Sequence, residues 1–298
     1  MNEIIKKRMI KIKEILPWRL KILLKIIFSR IPFRYSFWQK IGLFRHGKMD
    51  QATYVLKNFN EYCSIANLNQ KDLKGKTLLE LGPGDSIATA LVAASYGAKT
   101  ILVDVGYYAV NDIKVYQTLA NELRLKGINV PNINSAQTLN EVLNICNAEY
   151  LTNGLDSLYN IKNNSVDLIV SQAVLEHIRK DKFLSVMQET KRVMNNKGDS
   201  VHTVDLKDHL SKALNNLRFQ NSFWESKFIS SSGFYTNRIR YSQMLQMFED
   251  AGFSNKIINK NVWEEIPTPK KYIAHPFNLL TDDELCVSEF TVLLNHKN

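Results

Sequence analysis

Downstream of Lys76 the chain alternates short apolar runs with helical patterns, and this alternation constrains the fold more than any other feature. TLLEL (77–81), KTILVDV (99–105), SVDLIVSQ (165–172), DSVHTVDL (199–206) and ELCVSEFTVLL (284–294) read as strands. SIATALVAASYGA (86–98), VYQTLANELRLKG (115–127), DKFLSVMQETKRVMNNKG (181–198) and YSQMLQMFEDAGF (241–253) read as helices, each with a glycine at or near its end. Strands separated by helices of this length predict an α/β fold, with a Rossmann-like, mostly parallel sheet covered on both faces. Ligands of such sheets bind beyond the carboxyl ends of the strands. The residues to watch are therefore 80–86, 104–106, 171–177 and 205–209.

The first of these loops, ELGPGDS, leaves a buried strand and enters a helix. Gly82 and Gly84 carry no side chain, so a ligand can approach the backbone. The helix start offers unpaired N–H groups and the positive end of its dipole. Twenty residues after Gly84, the next strand ends in Asp104, placed to accept hydrogen bonds from a ribose diol. A dinucleotide site would want G-x-G-x-x-G/A. Here the third glycine position is Ile87, and Asp85 would repel a pyrophosphate. No Tyr-x-x-x-Lys pair stands in the expected region either, which weighs against NAD. An acid-bearing glycine loop suits the ammonium and sulfonium of S-adenosylmethionine better.

LLELGPGDSIAT, LVDVG, SVDLIVSQAVLEHI, VMNNKG, VHTVDL and LQMFEDAGF, in that order, resemble a class I S-adenosylmethionine-dependent methyltransferase from about Lys76 to the C-terminus. LFRHGKMDQATYVL and HTVDLKDH further resemble methyltransferases linked to bacterial surface-glycan genes. The resemblance implies the seven-stranded methyltransferase sheet with an antiparallel last strand, and S-adenosylmethionine as methyl donor with S-adenosylhomocysteine as product. It implies that Glu80 lies near the methionine ammonium and that Gly82, Pro83, Gly84 and Asp85 form the loop around the cofactor. Asp104 would hold the ribose hydroxyls, Val105 would pack on the adenine, and Asp156 would meet the adenine amino group from an irregular segment. Gln172 and Ala173 would line the pocket. His46, Asp50 and Tyr54 would close over it from the N-terminal side.

Methyl transfer is an in-line displacement, so positioning supplies most of the acceleration, and a hydroxyl acceptor also gains from a base. Asp208, His209 and His177 are the candidates for catalysis, all at strand ends. Asp208 and His209 could instead cap the next helix, and Glu176 is open to a structural or a substrate-facing role. His202, inside a strand, reads as a satisfied core histidine, and Asp167, starting a strand, as structural. The insertion at about 210–240 carries Phe223, Trp224, Phe228, Phe234 and Tyr235, then Arg238, Arg240 and Tyr241. It reads either as a lid over a sugar or anionic acceptor, or as a helix pair with an aromatic underside. Cys63, Cys146 and Cys286 are too scattered for a zinc, redox or disulfide motif, so no metal is expected and a reducing cytoplasm is.

The net charge of +10 is localised. Residues 1–48 hold thirteen Lys/Arg against two Glu, whereas the remaining 250 residues hold 26 Lys/Arg against 27 Asp/Glu. These 48 residues read as a basic amphipathic helical extension ahead of a methyltransferase domain at 49–298. PWRLKILLKIIFSRIPFRYSFWQK has no apolar stretch near the roughly 20 residues of a spanning helix, nor a cleavage site. On a helical wheel Lys21, Lys25 and Ser29 share one side. Such a helix either packs on the body or lies, through residues 1–40, in the headgroup layer of an anionic membrane. Nucleic acid is not an expected partner, because no recognition motif accompanies the charge.

The expectation is a cytoplasmic enzyme, peripheral on the inner membrane, that O-methylates a small-molecule acceptor: a saccharide or a lipid-linked glycan. A quinone-like lipid acceptor stays open, as does a non-catalytic nucleotide-binding or regulatory protein on the same fold.

Overall fold

A computed structural model describes residues 17–30 and 51–297. Seven strands form one sheet: β1 (Thr77–Leu81), β2 (Lys99–Val103), β3 (Ala148–Leu151), β4 (Val166–Gln172), β5 (Met194–Asp205), β6 (Phe253–Val262) and β7 (Val287–His296). Their spatial order is β3-β2-β1-β4-β5-β7-β6. β1 to β5 pair in parallel, and β7 runs antiparallel to both neighbours, β5 and β6. This is the Rossmann-like methyltransferase sheet with its antiparallel last strand.

The main helices are α1 (Trp18–Arg30), α2 (Ala52–Ile65), α3 (Ala88–Ser95), α4 (Ile113–Leu125), α5 (Leu139–Ile145), α6 (Leu155–Tyr159), α7 (Phe183–Val193) and α8 (Tyr241–Asp250). Alternate strand residues feed opposite layers, as the pleat requires. Leu78, Leu102 and Leu168 face a core made with α2, α3, α4 and α5. Leu79, Ile101 and Ile169 face a second core made with α6, α7 and α8.

Three local expectations are corrected. The helix expected over 181–198 stops at Val193, and β5 starts at Met194. The pairing of Val166 with Met194 takes this polar segment into the sheet, so ladder hydrogen bonds override its helical pattern. Two of the seven strands, β3 and β6, have no counterpart among the apolar runs of the sequence. β3 has only four residues, and β6 is mostly exposed and polar, so neither shows a buried apolar run. The segment around Asp156 is a short helix, α6, rather than irregular.

The insertion folds into helical turns at Asn215–Arg218, Asn221–Trp224 and Lys227–Ser230 around a small core of Leu210, Trp224, Ile229, Phe234 and Tyr235. Helix α1 contributes Ile22 to this core, with Trp18 and Ile26 alongside. Lys21 Nζ donates to Leu210 O at 3.0 Å, so this base points at the body and not to a polar outer face. Leu20, Leu23 and Ile27 are exposed instead. Among the described residues, no helix is long and apolar enough to cross a membrane.

Candidate functional site

The chain runs from β1 out to β2 and β3, then returns to β4 on the other side of β1. The crevice at this reversal is where an open α/β sheet binds ligands, and the expected residues gather along its rim. β1 delivers Glu80 and then turns at Gly82, whose N–H donates to Val103 O at 2.8 Å. Gly82 has φ +66°, and a Cβ there would sit 2.6 Å from Val174 Cγ2. Glycine is thus required twice over, by conformation and by the β4 loop against it. Gly84, at φ +61°, donates its N–H to Asp104 Oδ2 at 3.1 Å. Asp104 Oδ1 accepts from Val105 N at 2.7 Å. One carboxylate at the end of β2 therefore ties the glycine loop to the neighbouring strand.

Glu80 is 5% exposed. Burial pushes its carboxyl up to about 7, a hydrogen bond from the Thr89 side chain pulls it back, and the charge of Asp104 adds to the rise. Its Oε2 is buried without a hydrogen-bond partner. A buried acceptor left unmade is costly in any protein. Val105 is 75% exposed beyond β2. Its Cγ1 closes on Gly154, where a Cβ would meet it at 3.0 Å, and this brings the segment bearing Asp156 beside the end of β2. Asp156 itself is exposed in the first turn of α6. Pro83 and Asp85 complete the loop, with Asp85 O accepting from Val110 N at 2.8 Å. On the β4 side, Ala173 holds φ +53° and donates its N–H to Thr203 O, while Gln172 Oε1 accepts from Tyr62 OH at 3.2 Å.

The second half of the rim lies beyond β4 and β5. Glu176 is buried in the turn Leu175–His177, and its Oε1 accepts from Asp205 N at 3.3 Å. His177 Nδ1 donates to Tyr235 O at 2.8 Å. The neutral ring therefore carries its lone pair on Nε2. The His177 and His209 rings stand 4.9 Å apart. His209 Nε2 lies 3.4 Å from Asp205 Oδ2 and 3.9 Å from Glu176 Oε1. Burial would raise Asp205, but contact with His209 and Lys207 holds it at about 2. Burial drives Glu176 well above the usual carboxylate range.

Asp208 is a correction. It is buried with both oxygens turned into its own loop. Oδ1 accepts from the N–H groups of Leu210, Ser211 and Ala213; Oδ2 accepts from Ser211 Oγ and from Asn215 N and Nδ2. With its acceptor sites filled this way it shapes the loop and is not presented at the rim. Arg238 and Arg240 are corrected likewise. Both are buried and engaged within the fold: Arg238 donates to Phe219 O and Asn221 Oδ1 and pairs with Glu225, and Arg240 donates to Leu206 O and Val287 O. They brace the insertion and do not face an anionic acceptor.

His202 is the satisfied core histidine expected, with Ser171 Oγ 2.7 Å from Nδ1 and Ser200 Oγ 2.6 Å from Nε2. Asp167 accepts from Thr77 N at 2.8 Å and Asn195 Nδ2 at 2.7 Å, which is structural. The three cysteines are free thiols. Tyr54 lies in α2, half-buried; His46 and Asp50 lie outside the described residues.

Two rim residues have no forerunner in the motifs. Tyr62 reaches Gln172 from α2, and its only trace is the stripe Val55, Phe59, Tyr62 at helical spacing. Asn237 donates its backbone N–H to Glu176 O and its Nδ2 to Leu175 O and Ile178 O, so the insertion's end clamps the Glu176–His177 turn. No sequence pattern announces it.

Comparison with known proteins agrees with this architecture. A family described as "Methyltransferase domain" matches residues 54–257, and the chain belongs to it. The family match makes it a methyltransferase-domain protein on a Rossmann-like sheet. Among solved structures, a SAM-dependent methyltransferase from Methanosarcina mazei is 16% identical at a TM-score of 0.46, covering 80% of this chain and 99% of that one. One from Aquifex aeolicus is 16% identical at 0.40, covering 88% and 98%. Phosphoethanolamine N-methyltransferase 2 of Haemonchus contortus, solved with S-adenosyl-L-methionine, is 12% identical at 0.44; 81% of this chain spans about half, 53%, of that chain. A search of curated proteins finds no match.

Proposed function

We propose that the β1–β2–β4 half of the rim holds S-adenosylmethionine and that the β4–β5 half receives an oxygen acceptor. The observation that carries the assignment is Glu80 Oε2, buried and unpartnered beside the glycine loop. Glu80 takes the methionine ammonium, which satisfies that atom and favours its ionised form. Gly82, Pro83, Gly84 and Asp85 form the cradle, and Asp104 holds the ribose hydroxyls. Val105 packs on the adenine, Asp156 meets its amino group, and Gln172 and Ala173 form the wall toward the acceptor. Bound there, the cofactor supplies an electrophilic methyl group: the acceptor loses a proton to solvent, its oxygen bonds to carbon, and the methyl–sulfur electron pair stays on sulfur in S-adenosylhomocysteine. The chain's own work is to hold the acceptor oxygen in line and exclude competing water. His177 and His209 are the groups at hand for the acceptor, and residues 210–240 act as its lid.

The acceptor we infer is a saccharide or lipid-linked glycan at the cytoplasmic membrane face. The basic segment 1–48 and the outward Leu20, Leu23 and Ile27 of α1 support it, since such residues enter the headgroup layer of anionic membranes. Calorimetric titration with S-adenosylmethionine, S-adenosylhomocysteine and NAD tests the cofactor half. Binding of the two adenosyl compounds alone is expected, and binding of NAD alone would overturn it. Removing residues 1–30 is expected to keep that binding and to release the protein from anionic vesicles. Equal vesicle partitioning of both forms would reject the membrane reading.

A further inference from the structure

Glu176, His177 and His209 each bring one ligand-type atom to a common point, all within 4.8 Å of one another. They come from two separate loops, after β4 and after β5. Three features of this cluster bear on its chemistry. Glu176 Oε2 is buried and makes no hydrogen bond, although Oε1 is engaged by Asp205 N. His177 gives its Nδ1 proton to Tyr235 O, the outer contact that in metal sites fixes the tautomer and turns Nε2 toward the ion. Asp205 Oδ2 lies 3.4 Å from His209 Nε2, the nitrogen that also faces Glu176, so a further carboxylate adjoins the cluster, while Lys207 is paired with Asp205 at 3.0 Å and Glu289 at 3.2 Å.

We propose that Glu176, His177 and His209 form a site for one divalent transition-metal ion at the acceptor end of the cofactor pocket, where the ion binds and orients the acceptor's oxygen. Two imidazoles and one carboxylate suit manganese, iron or zinc better than magnesium or calcium, which prefer all-oxygen shells. Three ligands of one ion, with metal–ligand bonds of about 2.0–2.2 Å, lie at most roughly 3.6 Å apart. The cluster, whose ligand atoms lie within 4.8 Å of one another, therefore has to close by about an ångström, through a small shift of the exposed His177 side chain. Three protein ligands leave positions open for an oxygen of the acceptor. An acceptor hydroxyl bound to the ion gives up its proton to water more readily, which a buried carboxylate already engaged with Asp205 is poorly placed to promote. Val174, two residues before Glu176, lies against Gly82, so the ion's site adjoins the glycine loop.

The role of the ion rests on the methyltransferase reading above; the site itself does not. The test is titration of the chelator-stripped full chain with Mn²⁺, read by loss of the free-ion electron paramagnetic resonance signal, and with Zn²⁺ and Mg²⁺ by calorimetry. S-adenosylhomocysteine binding is measured on every sample. One Mn²⁺ or Zn²⁺ per chain is expected, with Mg²⁺ much weaker. His177→Ala, His209→Ala and Glu176→Gln are each expected to lower affinity at least about 100-fold, since even outer-shell losses cost 10–100-fold. The exposed His275→Ala is expected to bind as the parent does. His177→Ala removes an exposed side chain and keeps the result readable if the buried variants fold poorly. Absence of stoichiometric metal in the parent, or its retention in His177→Ala and His209→Ala, overturns the site. Metal binding without S-adenosylhomocysteine binding would leave the site standing and sink the cofactor assignment; the converse would do the opposite.

Discussion

At the ends of β1 and β2 the rim is built from residues contiguous with their strands: Glu80 through Asp85, and Asp104 with Val105. Their cross-links are short and local, such as Gly84 N to Asp104 Oδ2. At the ends of β4 and β5 the rim depends on a distant segment. Glu176 and His177 are held by Tyr235 and Asn237, nearly sixty residues later, and Asp208 organises the loop that bears His209. In the function we propose, the first half takes the cofactor and the second the acceptor; the first is marked by contiguous motif residues, whereas the shape of the second is set by an insertion with its own small core.

The largest expected effect lies under the second half, at His202 in the seam between β4 and β5. His202 is buried between Ser171 of β4 and Ser200, two residues before it on β5, and burial holds its pKa near 3 instead of 6.5. A histidine depressed in the folded state stabilises fully above pH 6.5 and loses that contribution as pH falls from 6.5 toward 3. The loss is on the order of 4 kcal/mol. Urea unfolding between pH 7 and 4 should show it, and His202→Gln should flatten the curve over this window. A parent curve with no slope there would mean that the seam carries no buried neutral imidazole.

Gly82→Ala comes next. The added methyl meets Val174, and the φ of +66° strains any L side chain, so about 3 kcal/mol of stability is expected to go. Val174→Ala in the same chain should return the overlap part but not the backbone part. Full recovery would show that conformation plays no role. Asp104→Ala should cost S-adenosylhomocysteine about 2 kcal/mol, or roughly 30-fold in affinity, while unfolding shifts by about 1 kcal/mol from the lost Gly84 contact. Unchanged affinity would sink the ribose assignment. The last substitution is Asn237→Ala. It loosens the Glu176–His177 turn by about 1–2 kcal/mol and should leave S-adenosylhomocysteine affinity alone while lowering turnover. A fall in cofactor affinity would mean that the halves are not separable.

The placement of Glu80 to Asp85 and of Asp104 at the strand ends was legible because they are consecutive residues after apolar strands. The acceptor half was legible only as a set of candidates. Asp208 and His209 are adjacent and equally polar, yet one is turned into its loop and the other toward Glu176 and Asp205. Arg238 and Arg240 read as anion binders until their burial and their partners within the fold, Glu225 and main-chain carbonyls, are seen. The metal-type cluster escaped the sequence because its ligands come from two loops more than thirty residues apart, with no motif spacing to mark them.

By itself the sequence determined the alternation of strands and helices, the glycine turn after β1 and the acid at the end of β2. Apolar periodicity and glycine conformation are local properties that survive in one dimension. Tertiary structure alone decided that β5 begins at Met194, that α1 buries Ile22 against the insertion, and which polar side chains face inward. Those outcomes depend on which donors and apolar surfaces the fold brings together, and neighbours in space are not written as neighbours in the chain.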